Sequence, residues 1–238
     1  MQKNELVSLL AKELLKDNSD EVNGVLVDLP TKNGRYLLEW NFIYRNIENT
    51  VDDVDDVESH HFNLGPLWES VSVIYDNILY LFYREGRFND VIQNYERNIH
   101  HHLLCLVKAK NRHLNGEEGG KLSSDLFNDL DDKEITQDQI QKAKELLGSS
   151  YDQIKEVQVF SIDKKVGVVN LNRLNSFGEV VFSEDVTEVD YSSITPSTPQ
   201  NEPEKPIPGF KKGILDRKEK IPNTKISKEK EFELDDKE

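Results

Sequence analysis

The chain has 238 residues with 45 acidic and 30 basic side chains, which gives a formal net charge of −15. A body this acidic repels phosphate backbones and anionic lipid surfaces, so composition argues against nucleic acid or a membrane as the principal partner. The hydrophobic content of 36% is enough for one folded core, which we expect to span about 150 to 190 residues.

The prolines divide the chain into a body and a tail. Six of the eight prolines lie between Pro196 and Pro222, and proline fixes φ and removes a backbone donor. Residues 200–238 carry equal numbers of acidic and basic side chains, so the net negative charge belongs to the rest of the chain. We predict a folded acidic domain over residues 1–191 and a disordered tail rich in Pro, Lys and Glu over residues 192–238.

The N-terminal part of the body is predicted to contain one helix and one hairpin. Apolar residues recur at three- and four-residue steps over residues 4–16, which indicates an amphipathic helix. Within residues 24–40, two β-prone runs flank the dipeptide Asn33-Gly34 and suggest a β-hairpin. The second run could equally begin a helix that continues through Ile47.

The central part is predicted to form a helical hairpin. Apolar residues make one stripe from Pro66 to Phe82 and a second from Phe88 to Val107, with a short connection between them. Two such helices pack antiparallel and would supply most of the core. The only cysteine, Cys105, lies in the second stripe, where we expect it to be a buried small hydrophobe rather than a nucleophile.

The last part of the body is predicted to contain one helix followed by strands. Residues 136–148 have the cap and the apolar stripe of a helix, and β-branched residues then recur from Val157 to Val189. This pattern predicts two to four short antiparallel strands. The predicted fold class is therefore α+β and mainly helical, with a helical hairpin core, a small antiparallel β element and a disordered C-terminal tail.

Two histidine clusters raise the possibility of a metal site. They are His60-His61 and His100-His101-His102, and imidazole is a common ligand for zinc and related metals. Adjacent helix residues point about 100° apart, so the triple cannot aim all its rings at one ion, and a His-Glu-x-x-His spacing is absent. We expect no metal and no cofactor. A metal-assisted hydrolase with ligands from His60, His61, His100 and His101 is the alternative.

Other signatures of catalysis and of export are absent from the sequence. There is no nucleophile elbow, no glycine-rich dinucleotide motif and no phosphate loop. The first residues lack the basic region and long apolar core of a signal peptide, and a single cysteine argues against an oxidising compartment. We therefore predict a non-catalytic protein of the cytoplasm or the nucleus.

The tail contains candidate sites for docking and for modification. Apolar anchors stand among lysines in an otherwise polar segment, as in short docking peptides that steer to an acidic rim. The anchors and lysines are Phe210, Lys211, Lys212, Ile214 and Leu215. Thr195 and Thr198 each precede a proline and are candidate sites for proline-directed phosphorylation.

Four residues of the tail also resemble a known docking motif. Gly213-Ile214-Leu215-Asp216 resembles the Gly/Ser-Ile-Leu-Lys/Arg docking motif of regulators of the type-one protein phosphatase, and departs from it at Asp216. The resemblance implies a phosphatase regulator as one function, and a chaperone-like binder of basic proteins is another. The leading prediction is a protein-interaction subunit or adaptor, whose body joins an assembly while its tail recruits a protein partner.

Overall fold

Helices and strands alternate in blocks along the part of the chain that the structure describes. The computed structural model describes residues 1–65, 68–116 and 131–187, with backbone alone for residues 131–135. The first block contains helices α1 (Lys3–Leu15), α2 (Ser19–Leu26) and α3 (Arg35–Val51), followed by strands β1 (Glu58–Asn63), β2 (Glu69–Tyr75) and β3 (Ile78–Arg84). The second block contains helices α4 (Glu85–Gln93), α5 (Tyr95–Asn98), α6 (His102–Lys110) and α7 (Asp131–Leu147), followed by strands β4 (Glu156–Asp163), β5 (Val168–Leu174) and β6 (Val180–Asp185).

The six described strands form one mixed sheet in the order β1-β2-β3-β4-β5-β6. Neighbouring strands are antiparallel except β3 and β4, which run parallel from the pair Ile78 and Glu156 to the pair Arg84 and Ile162. A parallel pair requires a crossover connection. Helices α4 to α7 provide it, so two three-stranded meanders meet at the centre of the sheet.

Each face of the sheet is covered by a separate helical layer, because side chains alternate along a strand. On β3, Tyr80 and Phe82 contribute to a core with α1 and α3, whereas Leu79, Leu81 and Tyr83 contribute to a core with α4, α6 and α7. The result is a three-layer arrangement with the sheet in the middle. The predicted mainly helical fold with a small β element is therefore wrong, since the sheet organises both cores.

The predicted helical hairpin is wrong in its first half, where strands β2 and β3 form a β-hairpin instead. Asp76 and Asn77 connect them with φ values of 50° and 60°, the conformation of a type I′ turn, which matches the twist of the two strands. Strands that are buried on both faces read as continuous apolar runs. Such a run mimics a helix stripe, which explains the error.

The second half of the predicted hairpin is broken into three helices. Helices α4, α5 and α6 replace one continuous helix, and His101 caps α6 by accepting a hydrogen bond at Nδ1 from the Leu103 N–H at 3.3 Å. The β-hairpin predicted within residues 24–40 is also wrong. That segment contains the end of α2 and the start of α3, so the helical alternative through Ile47 is confirmed.

Other predictions for the body are confirmed. Helices α1 and α7 occur where expected, although α7 already begins at Asp131, and the predicted meander is present as β4 to β6. Cys105 is fully buried, and burial raises the pKa of its thiol to about 11. A thiol that holds its proton so firmly is a poor nucleophile.

The predicted sites of the tail lie outside the described residues. These sites are Thr195, Thr198, Phe210, Lys211, Lys212, Ile214 and Leu215, and they stay predictions, as does the disorder predicted over residues 192–238. Among the helices that the structure describes, none is both long enough and apolar enough to span a membrane.

Candidate functional site

A cavity opens where strands β2 and β3 separate. The two strands pair only next to their turn, over Val73–Tyr75 and Ile78–Tyr80. Beyond that point lies a cavity of about 640 Å³, at the end of β3 where the parallel pair with β4 also ends. Its lining includes residues from β2, β3, α3, α7 and the segment that leads into α6. A volume of this size is in the usual range for small-molecule sites.

Aromatic side chains form one wall of the cavity. Tyr36, Trp40 and Tyr44 are four residues apart on α3 and therefore share one face of that helix. The Trp40 and Tyr44 ring centroids are 5.2 Å apart, and Trp68 faces Tyr36 at 6.5 Å. Burial and the neighbouring Tyr36 phenol both raise the pKa of Tyr44, so the Tyr44 hydroxyl keeps its proton near neutral pH.

Trp40 has a buried donor without a partner. Its side chain is only 4% exposed, and its Nε1 hydrogen-bonds to no other described residue. Tryptophan can only donate at this atom. A buried donor without an acceptor is costly, but this atom has almost no accessible surface and is therefore out of reach of a ligand in the cavity.

Arg84 contributes a positive charge at the end of β3. Its guanidinium forms an ion pair with Glu39 and lies 4.0 Å from the centroid of the Tyr36 ring. The Glu39 carboxylate also accepts a hydrogen bond from Lys164 Nζ at 2.9 Å. Burial opposes ionisation of Glu39, but Lys164 and Arg84 together lower its pKa overall. One carboxylate thus holds two cations, and the three groups keep a net positive charge.

Two further cations complete the charged side of the cavity. Arg87 lies in the first turn of α4 and pairs with Asp90 on its own helix, while Lys142 on α7 donates from Nζ to the carbonyl oxygen of His100 at 2.6 Å. No Asp or Glu is among the described residues that line the cavity. Helix α4 also begins here without a side-chain cap, and the free N–H groups of a helix start favour anions.

Two histidines of the cavity, His101 and His102, are held neutral. Burial, reinforced by Arg87 and Lys142, lowers the pKa of His101 to about 4, and burial with His101 nearby lowers the pKa of His102 to about 3. Because Nδ1 of neutral His101 accepts from Leu103, its proton lies on Nε2, which is then a donor. His102 Nε2 is hydrogen-bonded to the Tyr83 hydroxyl. Burial and the Tyr44 phenol raise the pKa of Tyr83, so Tyr83 keeps its proton.

The histidines of the metal alternative lie in three different places. His60 Nε2 is hydrogen-bonded to the Leu146 carbonyl on α7 at 3.0 Å, and His61 pairs with Glu48 on α3. These neighbours lie on opposite sides of the sheet, because His60 and His61 are consecutive on β1. Only His100 and His101 of the four line the cavity. Among the described residues, no group of three His, Cys, Asp or Glu side chains is placed to hold a metal ion.

The fold and the cavity define a three-layer α/β/α protein with a cationic and aromatic cavity beside a parallel strand pair. The chain belongs to a family of unknown function, DUF5986, whose model matches residues 1–229. No curated protein and no solved structure matches the chain.

The sequence alone indicated the histidines of this cavity, but it indicated neither its positive charge nor its aromatic wall. His100, His101 and His102 form a visible cluster, for which we expected no metal and considered His100 and His101 as ligands only in the alternative. Arg84, Arg87 and Lys142 are scattered along the chain and carry no motif. The aromatic residues at positions 36, 40 and 44 have the spacing of one helix face, which was the only local signal for the wall.

Proposed function

We propose that the cavity beside β3 binds a small organic anion. The observation that carries this proposal is the charge of the lining: Arg84, Arg87 and Lys142 contribute positive charge, and none of the described lining residues is acidic. The chain as a whole has 45 acidic residues against 30 basic ones. A cationic cavity in such an acidic protein concentrates anionic ligands locally.

The ion pairs of the two arginines are compatible with anion binding. A guanidinium has five N–H donors in a rigid fork, so Arg84 and Arg87 can each hold one carboxylate and still donate to a ligand. Glu39 and Asp90 then orient the two guanidinium groups before the ligand arrives. Orientation in advance lowers the entropic cost of binding.

The aromatic wall supports an organic ligand rather than an inorganic ion. Trp40, Trp68, Tyr36 and Tyr44 offer ring faces beside the cations. Cavities that bind small molecules combine such apolar surface with a few polar groups that fix orientation.

Intrinsic fluorescence gives a direct test, because both tryptophans of the chain line this cavity. The full chain is titrated with phenyl phosphate and, separately, with phenol. We expect saturable quenching by phenyl phosphate and at least about tenfold weaker binding of phenol, since an ion pair with the ligand contributes more than one kcal/mol.

Variants of the cations provide the controls. Arg87→Gln and Lys142→Gln should each weaken phenyl phosphate binding, whereas Lys144→Gln on the same helix as Lys142 should not, because Lys144 lies outside the lining. Equal binding of phenol and phenyl phosphate, or equal effects of the three variants, would contradict the proposal.

A second candidate function comes from the tail. We propose that the chain also serves as an interaction subunit in the cytoplasm or nucleus, with the segment around Phe210, Ile214 and Leu215 as its docking peptide. The sequence feature that favours this role is the set of apolar anchors beside Lys211 and Lys212. Protein partners captured by the full chain and by a chain without residues 196–238 should differ, and identical partners would remove the tail from the proposal.

The phosphatase and phosphorylation hypotheses are tested on the same segment. A peptide of residues 205–220 should bind the type-one phosphatase if the motif at Ile214 and Leu215 is functional, and Ile214→Ala with Leu215→Ala should abolish that binding. Phosphate on Thr195 or Thr198 would add negative charge at the junction of body and tail. Mass spectrometry of the chain from its own cells checks for it.

A further inference from the structure

We propose that the organic anion is a small peptide carboxylate, an acylated amino acid or dipeptide, whose amide completes the interrupted pairing between β2 and β3. This inference rests on the proposed function and names its ligand class. The observation that carries it is the gap in the sheet, where the two strands continue but their pairing stops.

The gap begins at one defined point of the β-hairpin. Strands β2 and β3 have seven residues each but pair over only three, and their pairing ends at Val73 and Tyr80. Strand β2 stays paired with β1 as far as Glu69, and β3 stays paired with β4 as far as Arg84. Both strands therefore remain extended beyond their last shared pair, each held by its other neighbour.

The alternation of a strand determines which backbone groups face the gap. The two-residue turn makes Tyr75 and Ile78 a hydrogen-bonded pair, and every second residue from there directs its N–H and C=O toward the same neighbouring strand. Val71 and Phe82 are the first such residues beyond the last pair. Their N–H and C=O groups thus face the gap, without a ladder partner in the described part of the chain.

The cavity lies at this gap. Val71 and Phe82 both line it, together with Trp40 of α3 from one helical layer and Leu146 of α7 from the other. The cavity therefore reaches both faces of the sheet at the place where the ladder is missing. Backbone groups that lack a strand partner border space that a ligand can fill.

A peptide amide matches these backbone groups. Val71 and Phe82 are both buried, and buried backbone N–H and C=O groups are almost always hydrogen-bonded. An amide brings one donor and one acceptor, as an added strand does when a peptide joins a sheet. An acid without an amide N–H would leave the exposed acceptors of the ladder unpaired.

The nearest cation suits a carboxylate next to that amide. Arg84 also lines the cavity and is two residues beyond Phe82 on β3, about 7 Å further along the strand. In a peptide, only one carbon atom separates the last amide nitrogen from the terminal carboxylate. Arginine binds carboxylates through its planar fork of donors, so one ligand can reach Phe82 with its amide and Arg84 with its carboxylate.

Calorimetric titration of the full chain tests the inference with matched probes. The ligands are N-acetylphenylalanine and N-acetylglycylphenylalanine. The controls are N-acetyl-N-methylphenylalanine, which lacks the amide N–H, 3-phenylpropionate, which lacks the whole amide, and N-acetylphenylalaninamide, which lacks the charge. We expect at least one ligand to bind about tenfold or more tightly than every control, because amide and carboxylate each add contacts.

Amide hydrogen exchange shows whether the ligand pairs with the gap. A saturating ligand should slow exchange of the Val71 and Phe82 N–H groups about tenfold or more, since both gain an acceptor. Leu81 is the internal control, because its backbone groups face β4 instead, and its exchange should not change.

A pair of variants at one position removes the donor of the gap. Val71→Pro lacks the N–H, and proline is compatible with a strand position that donates no ladder bond. Val71→Ala is the matched control, since it shortens the side chain but keeps the N–H. Val71→Pro should bind the better ligand at least about fivefold more weakly than Val71→Ala does, with equal binding of phenyl phosphate. If Val71→Pro does not fold, the exchange measurement decides.

The outcomes separate this inference from the proposed function. If 3-phenylpropionate or the N-methyl control binds as tightly as both ligands, or if exchange at Val71 and Phe82 is unchanged by a bound ligand, the cavity binds anions but the peptide inference is wrong. Equal binding of the better ligand by the two Val71 variants would also overturn it. If neither phenyl phosphate nor any carboxylate binds, the proposed function itself fails.

Discussion

The Tyr83 hydroxyl on β3 is hydrogen-bonded to His102 Nε2 at the first residue of α6, and the two rings stack with their centroids 5.8 Å apart. This contact ties the central strand to the crossover helices at the cavity. Tyr83 is buried and His102 is half-buried, and each would lose this hydrogen-bond partner if the contact were broken. We infer that the pair helps to fix the geometry of the cavity.

Replacing Tyr83 by Phe tests this contact. We expect Tyr83→Phe to lower the free energy of unfolding by about 1 kcal/mol, because the half-buried His102 loses its hydrogen-bond partner. Chemical denaturation measures the change. Tyr75→Phe is the matched control, since the Tyr75 hydroxyl donates to the Met1 carbonyl at the surface. This variant should lower the free energy of unfolding by less than about 0.5 kcal/mol. Equal losses in the two variants would argue against the buried pair.

The half-buried His101 and His102 predict a pH dependence of stability. The pKa values of His101 and His102 fall from 6.5 to about 4 and about 3 in the folded chain. Between pH 6.5 and about 4 the unfolded chain therefore binds protons that the folded chain does not. The free energy of unfolding should fall as the pH falls through this window, by up to roughly 1.4 kcal/mol per pH unit for each histidine.

A variant isolates that contribution from other titrating groups. His101→Gln combined with His102→Gln should flatten the dependence between pH 6.5 and pH 5, where ordinary carboxylates titrate little. Denaturation midpoints at several pH values measure the slope. A slope unchanged from that of the original chain would show that the two imidazoles are not buried as described.

Asn111 links helix α6 to two strands and should be important for stability. Its amide donates to the carbonyls of Val157 at 2.8 Å and of Leu174 at 2.7 Å, and its Oδ1 accepts the Val157 N–H at 2.8 Å. The side chain is fully buried. We expect Asn111→Ala to lower the free energy of unfolding by about 3 kcal/mol, because three buried backbone groups lose their hydrogen-bond partner. Asn94→Ala, at the exposed end of α4, should cost less than about 1 kcal/mol, and thermal or chemical unfolding compares the two.

The turn between β2 and β3 offers a stabilising substitution. Asp76 and Asn77 both have positive φ values, a conformation that glycine adopts without strain. Asn77→Gly should therefore keep or raise the free energy of unfolding by up to about 0.5 kcal/mol, whereas Asn77→Val should lower it by about 1 to 2 kcal/mol. If Val were tolerated as well as Gly, the type I′ turn would be wrong.

The sequence predicted the elements whose pattern is local. Helix α1 has the regular spacing of one exposed and one buried face, and it was found. The meander β4 to β6 was found from its β-branched residues, although β4 is buried on both faces. Strands β2 and β3 were mistaken for a helix, because burial on both faces removes the alternation that identifies a strand. Their β-branched residues and the Asp76-Asn77 dipeptide were the available signals, and the apolar stripe was given more weight.

The candidate site was harder to predict because the fold assembles it from distant segments. Arg84 and Lys142 are far apart in sequence and line the same cavity only through the parallel pairing of β3 with β4 and the crossover helices between them. The net charge argued against nucleic acid and anionic membranes, but a sum over the chain does not show where cations gather. The cluster His100 to His102 is visible in the sequence, but the low pKa values of His101 and His102 depend on the packing of α6.

A crystal structure of the full chain with phenyl phosphate tests the central claim most directly. We predict the phosphate within hydrogen-bond distance of Arg87 and Lys142, with the phenyl ring against Trp40 or Trp68. A cavity that stays empty at millimolar ligand, or a ligand bound elsewhere on the protein, would contradict the claim that this cavity is an anion site.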